Sequence, residues 1–366
     1  MTPLEDSLVR RIRHHGGLSL ADYMAEVLTH PERGYYSGGD PFGARGDFIT
    51  APEISQMFGE LVGLWCGDSW RRLGAPRPIT LVELGPGRGT LLADALRALR
   101  LLPDFLEACE LHLVEASPFL KARQAEALKA AAAELAPRWH GSLGEVPDGP
   151  VIIVANEFFD ALPIRQFERT GDGWCERLVV LDPDAGPTGP AFRFALSPPR
   201  HAAAVPLELR DAPPGSLVEV SFAGISIAAE IGRRLATHPG AALIVDYGHD
   251  RPRTGATFQA LRQHAAHDPL ADPGSADLTA HVDFAALARA ASEAGASAHG
   301  PLGQGAFLEG LGIAARAEAL CQGATAGQAE QIESARARLT DPDQMGELFR
   351  VLALTSPGMA APASFA

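Results

Sequence analysis

Three glycines and one glutamate lie close together in the segment VELGPGRGT. Glu83 lies near the end of a short apolar run, and Gly85, Gly87 and Gly89 follow it before a helical pattern begins at Thr90. Glycines between a strand and a helix let backbone N–H groups approach a ligand closely at the helix N-terminus. The spacing therefore predicts a small-molecule site at the end of this strand.

Two cofactors compete for such a site. A dinucleotide fingerprint has the spacing G-x-G-x-x-G with an acid about 20 residues further on, whereas this chain has G-x-G-x-G preceded by Glu83. A carboxylate there would repel a pyrophosphate and suit an ammonium group. The residues therefore favour S-adenosylmethionine, whose amino-acid end carries a cation, over a nicotinamide dinucleotide. Glu115, which follows the apolar segment LHLV, is placed to accept hydrogen bonds from ribose hydroxyls, which both cofactors carry.

A second polar group follows the apolar segment VIIVA. Asn156, Glu157 and Asp160 lie within five residues, with Phe158 and Phe159 between the two acids. A solvated acidic loop is the simpler interpretation. However, open α/β sheets bind ligands beyond the carboxyl ends of their strands, and the aromatic residues indicate burial. We therefore expect Glu157 and Asp160 to contact a substrate.

Two further segments are ambiguous. His281 in DLTAHVDF could serve as a base, but Thr279 and Asp283 also suit ordinary helix capping, which we favour. In GARGDFITAPEISQMFGE, Thr50 and Glu53 have capping-box spacing, which predicts a helix beginning near Ala51. The glycine-rich loop before it has two interpretations, a structural turn and a lid.

Composition narrows the possible classes of protein. The chain has 366 residues, 46% of them hydrophobic and 21% charged, as in ordinary globular proteins. A net charge of −14 argues against a nucleic-acid surface. We find no apolar run long enough for a membrane span. The four cysteines form no C-x-x-C pair and the histidines have no metal-ligand spacing, so we expect free thiols and no metal.

Strand and helix patterns alternate along much of the chain, which predicts an α/β fold with a parallel sheet covered on both faces. We divide the chain into N-terminal helices with a glycine-rich lid loop (1–75), a first half of the cofactor domain (76–163), an insertion (164–216), and a second half with C-terminal helices (217–366). The insertion contains a predicted hairpin that turns at 171–173. We expect residues 306–350 to be mostly helical and the end, GMAAPASFA, to be unstructured.

Several long motifs resemble, in the same order, those of the MidA-like methyltransferases. They are GYYSGGDPFGARGDFITAPEISQMFGE, VELGPGRGTLL, ANEFFDALPIRQF, IVDYGH, DLTAHVDF and MGELFRVLAL. The resemblance covers about residues 15 to 355. Gly303 departs from it, because a larger and often polar residue is expected there, which affects the contacts of Gln304.

The resemblance implies a class I, Rossmann-like methyltransferase fold with an N-terminal helical extension and an inserted, partly β-rich and irregular segment. The family includes the mitochondrial complex I assembly factor that methylates an arginine. By resemblance, the cofactor is S-adenosylmethionine and the partner is a protein, a complex I core subunit of the 49-kDa type, with symmetric dimethylation of arginine in the mitochondrial members. Thr50, Pro52 and Glu53 would then contact the cofactor, and Asp47 would lie near the methyl-transfer site in a loop that closes over the ligand.

Two alternatives to a protein arginine methyltransferase remain at this point. One is an assembly or binding protein that keeps the fold without turnover, and the other is a methyltransferase with another substrate. A nicotinamide-dependent oxidoreductase is disfavoured by the glycine spacing. Glu5 and Asp6 interrupt the basic pattern of a transit peptide, so we expect a bacterial cytoplasmic protein. The sequence does not indicate an oligomeric state.

Overall fold

The computed structural model describes residues 2–36, 50–132, 134–184 and 192–365. Its helices are α1 (Pro3–His15), α2 (Leu20–Thr29), α3 (Ala51–Ile54), α4 (Gln56–Arg72), α5 (Thr90–Leu99), α6 (Pro103–Ala108), α7 (Pro118–Ala131), α8 (Phe222–Thr237), α9 (Phe284–Glu293), α10 (Gln304–Gly310), α11 (Ile313–Cys321) and α12 (Ala326–Thr340). Its strands are β1 (Leu18–Ser19), β2 (Ile79–Leu84), β3 (Cys109–Val114), β4 (Arg138–His140), β5 (Val151–Asn156), β6 (Arg165–Thr170), β7 (Gly173–Leu181), β8 (Phe192–Leu196), β9 (Leu217–Val220), β10 (Gly240–His249), β11 (Gln259–Arg262), β12 (Ala265–His267), β13 (Asp277–Thr279), β14 (Val282–Asp283), β15 (Ser297–Gly303) and β16 (Phe349–Thr355).

The chain divides into two compact units. The first contains the described residues of Met1–Phe48, Asp160–Ser226 and Arg251–Ala285. The second contains those of Ile49–Phe159, Ile227–Asp250 and Ala286–Ala366. The four segments proposed from the sequence remain a prediction.

The second unit is built on a mixed sheet with the strand order β15, β16, β10, β5, β2, β3, β4. The run from β10 to β4 is parallel, whereas β16 is antiparallel to both β10 and β15. Every residue of β2 and β5 is buried, as expected for strands covered on both faces. The predicted α/β class is confirmed, and the antiparallel strands extend the parallel sheet that the alternation predicts.

A large hydrophobic core of the second unit forms where helices pack on this sheet. Phe58 and Trp65 of α4 are fully buried there, together with Leu96 of α5 and Phe105 of α6. Their spacing along α4 follows the three- and four-residue steps of the sequence pattern. The packing fixes the carboxyl ends of β2, β3 and β5, from which the candidate site is built.

The helix predicted to begin near Ala51 is interrupted. The four-residue helix α3 ends at Ile54, and α4 begins at Gln56 after Ser55, which is in an extended conformation. The side chain of Thr50 makes no capping hydrogen bond, whereas the Ser55 hydroxyl accepts one from the N–H of Met57 at 3.2 Å. The predicted capping box is therefore wrong, because Glu53 is engaged elsewhere.

The C-terminal part is mostly helical over residues 306–350, as the sequence pattern predicts. The buried strand β16 (Phe349–Thr355) overlaps that stretch only at its last two residues. The chain end is also held in place: the Ser364 hydroxyl donates to the carbonyl of Phe307 at 3.0 Å, and the rings of Phe307 and Phe365 lie 5.9 Å apart. The prediction of an unstructured end is therefore wrong up to residue 365.

Gly303 fits a tight position in front of α10. A Cβ atom there would lie 2.8 Å from the carbonyl oxygen of Gly346 and 2.9 Å from a carboxylate oxygen of Glu347. Gln304 is fully buried and donates to the carbonyl of Leu339 at 2.9 Å. The departure at Gly303 thus accommodates a close backbone approach.

The first unit contains an antiparallel sheet with the order β1, β7, β6, β9, and β8 pairs with β7. The predicted hairpin is formed by β6 and β7, with Thr170 opposite Gly173. A second, three-stranded sheet has the order β12, β11, β13. The helices α1 and α2 bury Leu8 and Met24 in the main core of this unit. Among the helices of the described ranges, none is both long and apolar enough to cross a bilayer.

Candidate functional site

The glycine turn after β2 has a backbone that other residues would rarely adopt. Gly85, Gly87 and Gly89 have φ values of +63°, +54° and +82°. A Cβ atom on Gly85 would also lie 2.8 Å from the ring of Phe158. Glycine is therefore required at Gly85 for two reasons, backbone conformation and space. The turn ends at Gly89, from which α5 begins.

Glu83 is a buried acid two residues before this turn. It lies in β2 between β3 and β5, and its side chain is 2% exposed. Its Oε2 atom has no hydrogen-bond partner among the residues that the structure describes. Burial raises the pKa of its carboxyl from 4.5 to about 8. Because an unsatisfied buried oxygen is costly, a cationic ligand that reached it would gain a strong partner.

Glu115 follows β3 and has a different environment. Its Oε1 accepts from the N–H of Ser117 at 2.8 Å, and its Oε2 accepts from the side-chain amide of Gln124 at 3.0 Å. Burial raises the pKa of this carboxyl, and the bonds from Ser117 and Gln124 oppose that rise. The carboxylate is thus held in one orientation while further lone pairs remain for a ligand.

Glu157 follows β5 in a strained conformation. Its φ is +48°, in the left-handed region that a residue with a long side chain rarely adopts. Its Oε1 accepts from the N–H of Ala51 at 3.0 Å and from the side-chain amide of Asn156 at 3.1 Å. Its own N–H donates to the carbonyl of Val245 at 2.9 Å. The backbone and one carboxylate oxygen are therefore fixed by contacts from separate segments of the second unit.

Helix α3 connects the end of β5 with the glycine turn. The N–H of Ala51 is taken by Glu157, and Oε1 of Glu53 accepts from the hydroxyl of Thr90 at 2.6 Å. The other oxygen of Glu53 lies 3.7 Å from the Arg88 guanidinium. Pro52, between them, is buried. The amide of Ala51 thus donates to the protein's own carboxylate.

Asp246 organises the residues after Glu157. It is fully buried within β10, and its carboxylate accepts from the N–H of Phe159 at 3.0 Å and from that of Tyr247 at 2.9 Å. These bonds fix the turn that carries Phe158 and Phe159. Asp246 is part of the motif IVDYGH, but its burial follows from the position of β10 in the sheet, which the sequence alone does not show.

Other predicted residues lie elsewhere. Asp160 belongs to the first unit, where it is 6% exposed and its carbonyl accepts from the N–H of Ala280 at 3.0 Å. In that unit, the pKa of the Tyr36 phenol is raised by burial and by the carboxylates of Asp277 and Asp160. The Tyr36 hydroxyl donates a hydrogen bond to Asp277. His281 also lies in the first unit, where its N–H donates to Thr257.

The lid loop predicted before Thr50 falls largely on residues 37–49. Asp47 is among these residues and lies outside the described part of the chain. Its assignment to the methyl-transfer site therefore stays a prediction, as does closure of the loop over a ligand.

Gln124 was missed altogether. It lies within the Ala-rich helix α7, where nothing in the spacing separates it from a surface residue. In the structure it is fully buried and contacts both Glu115 and the carbonyl of Gly87. Only the packing of α7 against the glycine turn reveals this position.

Comparison with known proteins identifies the relatives of this chain. Residues 61–302 match a family described as S-adenosyl-L-methionine-dependent methyltransferase. A Drosophila melanogaster protein named "Protein arginine methyltransferase NDUFAF7 homolog, mitochondrial" is 40% identical over 98% of this chain and 86% of its own length. The human protein named "Protein arginine methyltransferase NDUFAF7, mitochondrial" is 39% identical over 97% of this chain and 83% of its own length.

A solved structure extends the comparison to the fold. A Burkholderia thailandensis protein bound to S-adenosyl-homocysteine superposes with a TM-score of 0.84 at 34% identity, covering 99% of this chain and 93% of that one. The coverage of both chains confirms the class I methyltransferase fold expected from the motif order.

The prediction of a bacterial cytoplasmic protein is wrong by this comparison, because the curated relatives are named as mitochondrial proteins. The prediction rested on Glu5 and Asp6. In the structure these acids occupy the first turn of α1, where Glu5 completes a capping box with Thr2. Their presence reflects helix capping and carries no information about location.

Proposed function

The chain belongs to the family of S-adenosyl-L-methionine-dependent methyltransferases, and we propose that it methylates arginine side chains of a protein. Its cofactor is S-adenosyl-L-methionine. The observation that carries the proposal is the identity of about 40%, over nearly the whole chain, with proteins named protein arginine methyltransferases. The residues at the ends of β2, β3 and β5 supply the chemistry.

The residues of the second unit fit this cofactor. Glu83 offers a buried carboxylate oxygen without a partner among the described residues, which suits the ammonium group of the amino-acid end. Gly85 allows the ring of Phe158 to pack against the turn, because a Cβ atom there would lie 2.8 Å from that ring. Glu115 offers oriented carboxylate oxygens to the ribose hydroxyls. We assign these three residues and the turn through Gly87 and Gly89 to cofactor binding, with Thr50, Pro52 and Glu53 supporting them.

An arginine substrate explains the acids after β5. When bound, the cofactor supplies a methyl group activated by a sulfonium. A guanidinium is a fixed fork of donors that keeps its charge at all working pH values, so carboxylates that accept bidentate bonds can orient it. A lysine would first have to lose a proton, which calls for a desolvating channel or a dedicated base.

We assign Glu157 to orientation of the attacking nitrogen and to acceptance of the proton that this nitrogen releases. The contacts of its Oε1 with Ala51 and Asn156 hold the carboxylate in place before substrate binds. Such preorganisation lowers the cost of reaching the transition state. We further propose that Asn156 helps to bind the guanidinium, while the assignment of Asp160 and Asp47 to this group remains a prediction from the sequence. None of these roles requires a metal ion.

For the substrate protein, we propose a complex I core subunit of the 49-kDa type, modified to symmetric dimethylarginine. The relatives named for arginine methylation support a protein substrate. The net charge of −14 suits a basic target segment.

The test is to incubate the enzyme with methyl-labelled cofactor and the purified 49-kDa-type subunit, then to hydrolyse the protein and identify the methylated amino acid. We expect symmetric dimethylarginine. Label in lysine or in a small molecule would overturn the arginine assignment. Cofactor binding without label transfer, even with the complete partner complex, would instead favour a binding protein that lacks turnover.

A further inference from the structure

Gln124 is a fully buried amide between the two halves of the cofactor site. Its side-chain nitrogen donates to the carbonyl of Gly87 at 2.8 Å and to Oε2 of Glu115 at 3.0 Å. Its side-chain oxygen accepts from the indole N–H of Trp139 at 2.8 Å. The helix α7 thus places one side chain against the glycine turn, the acid after β3 and the edge strand β4.

The chemistry of the three partners determines which way the amide points. The indole nitrogen of Trp139 is a donor only, so it must face the oxygen of Gln124. The carbonyl of Gly87 and the carboxylate of Glu115 are acceptors, so both must face the NH₂ group. If the amide were flipped, its oxygen would face the oxygens of Gly87 and Glu115, and its NH₂ group would face the indole N–H of Trp139. Burial would make each of these mismatches costly.

The two N–H groups of the Gln124 side chain therefore bond to the glycine turn and to Glu115, which we assign to different parts of one ligand. Gly87 belongs to the turn that we assign to the cofactor beside Glu83, and Glu115 is the acid that we assign to the ribose. Losing Gln124 leaves Oε2 of Glu115 without its side-chain donor, while the N–H of Ser117 still holds Oε1. Rotation of the carboxylate about the backbone contacts that remain would misdirect the lone pairs intended for the ribose hydroxyls.

We propose that Gln124, oriented by Trp139, is a positioning residue that aligns Glu115 with the ribose hydroxyls of the cofactor and thereby sets selectivity for them. The inference rests on the proposed role of Glu115. It makes Gln124 a residue that acts through another, since its NH₂ group is engaged by Gly87 and Glu115 and its oxygen by Trp139.

Selectivity is measured by calorimetry with S-adenosyl-L-homocysteine and its 2′-deoxy and 3′-deoxy analogues. For each variant, the dissociation constant of each deoxy analogue is divided by that of the parent ligand. A general loss of affinity or of folded protein affects both constants equally and does not change this ratio. In the wild-type protein we expect a ratio of about tenfold or more, as for a hydrogen bond to a charged group. In Gln124→Met, which retains shape without donors, we expect it to fall below about threefold.

Two further variants keep the test decisive. Trp139→Phe leaves Gln124 in place but removes the donor that orients it, and we expect an intermediate ratio. Gln304→Met removes another fully buried glutamine, which bonds to Leu339 outside the site, and should leave the ratio at its wild-type value even if stability falls.

The outcomes separate the inference from the function on which it rests. A wild-type ratio near one would overturn both the role of Glu115 and the role of Gln124. A tenfold wild-type ratio that persists in Gln124→Met and Trp139→Phe would leave Glu115 in its role and overturn the inference alone. If Gln124→Met does not fold, the ratio in Trp139→Phe decides.

Discussion

Glu83 and Glu157 lie at the carboxyl ends of neighbouring parallel strands, yet their environments are opposite. Glu83 is buried with one carboxylate oxygen that no described residue satisfies, and its pKa is raised to about 8. Glu157 has an oxygen that accepts two hydrogen bonds and a backbone held in the left-handed region. Glu83 therefore has a carboxylate oxygen that no described residue binds, whereas Glu157 is positioned by the protein before any ligand binds.

The difference indicates a division of labour between two ends of one sheet edge. An unsatisfied buried carboxyl destabilises the ligand-free protein and gains most when a cation binds. A carboxylate fixed by protein donors gains little from binding but keeps its geometry through a reaction. We therefore expect Glu83 to control affinity for the cofactor and Glu157 to control the rate of transfer.

The largest effect is expected at Gly85. Valine there would meet the ring of Phe158 and require a φ near +63°, so we expect Gly85→Val to weaken binding of S-adenosyl-homocysteine by more than about a hundredfold. Calorimetry measures this. Gly171→Val is the matched control, because no atom lies within 4 Å of a Cβ built there. Equal losses in both variants would contradict the account.

Glu157→Ala should slow methyl transfer by at least about 30-fold. Removing one carboxylate from a desolvated charge pair costs about 2–5 kcal/mol, and about 1.4 kcal/mol is a factor of ten in rate. The rate is measured with labelled cofactor and the protein substrate, and cofactor affinity should change by less than about threefold. The control is Glu126→Ala on α7, whose side chain is 75% exposed and which we expect to behave as wild type.

Glu83→Gln should weaken cofactor binding by about tenfold, the value of a charge-assisted hydrogen bond at the lower end of its range. In the wild-type protein, affinity should also rise from pH 6 to pH 7, because the ligand-free carboxyl, with its pKa of about 8, must lose its proton to pair with an ammonium. Calorimetry at both pH values should show this rise in the wild-type protein and a flat profile in Glu83→Gln. An identical slope in both proteins would assign the titration to another group.

The same substitution should stabilise the ligand-free protein at alkaline pH. The pKa of Glu83 is about 4.5 when unfolded and about 8 when folded, so between these values the folded state retains a proton that the unfolded state releases. The free energy of unfolding contributed by Glu83 therefore falls as pH rises through this window and levels off above it. We expect the Tm of Glu83→Gln to exceed that of wild type by a few °C at pH 8 and by less at pH 5. A lower Tm than wild type at pH 8 would contradict the burial argument.

The sequence predicted the parts of this molecule that depend on local pattern. From glycine spacing and the alternation of strands and helices, the sequence predicted that Glu83, Gly85 and Glu115 lie at the ends of strands. Features set by contacts between distant segments escaped it. Glu53 has perfect capping spacing, yet it bonds to Thr90 across 37 positions of chain. A spacing rule cannot register such competition.

The strand β16 and the buried amide of Gln124 illustrate the same limit. The place of β16 in the sheet follows from its pairing with β10 and β15, which the sequence pattern does not show. The contacts of Gln124 with Gly87 and Glu115 depend on the packing of α7 against the glycine turn, which the sequence does not show. The division of labour between Glu83 and Glu157 likewise required knowing which oxygen of each had a partner.

The most direct test of that division is single-turnover methyl transfer at saturating cofactor, comparing wild type, Glu83→Gln and Glu157→Ala with the same protein substrate. Saturation should restore Glu83→Gln to within about threefold of the wild-type rate, because its defect lies in binding, whereas Glu157→Ala should remain at least about 30-fold slow. A Glu157→Ala enzyme restored by excess cofactor, or a Glu83→Gln enzyme that stays equally slow, would contradict the account.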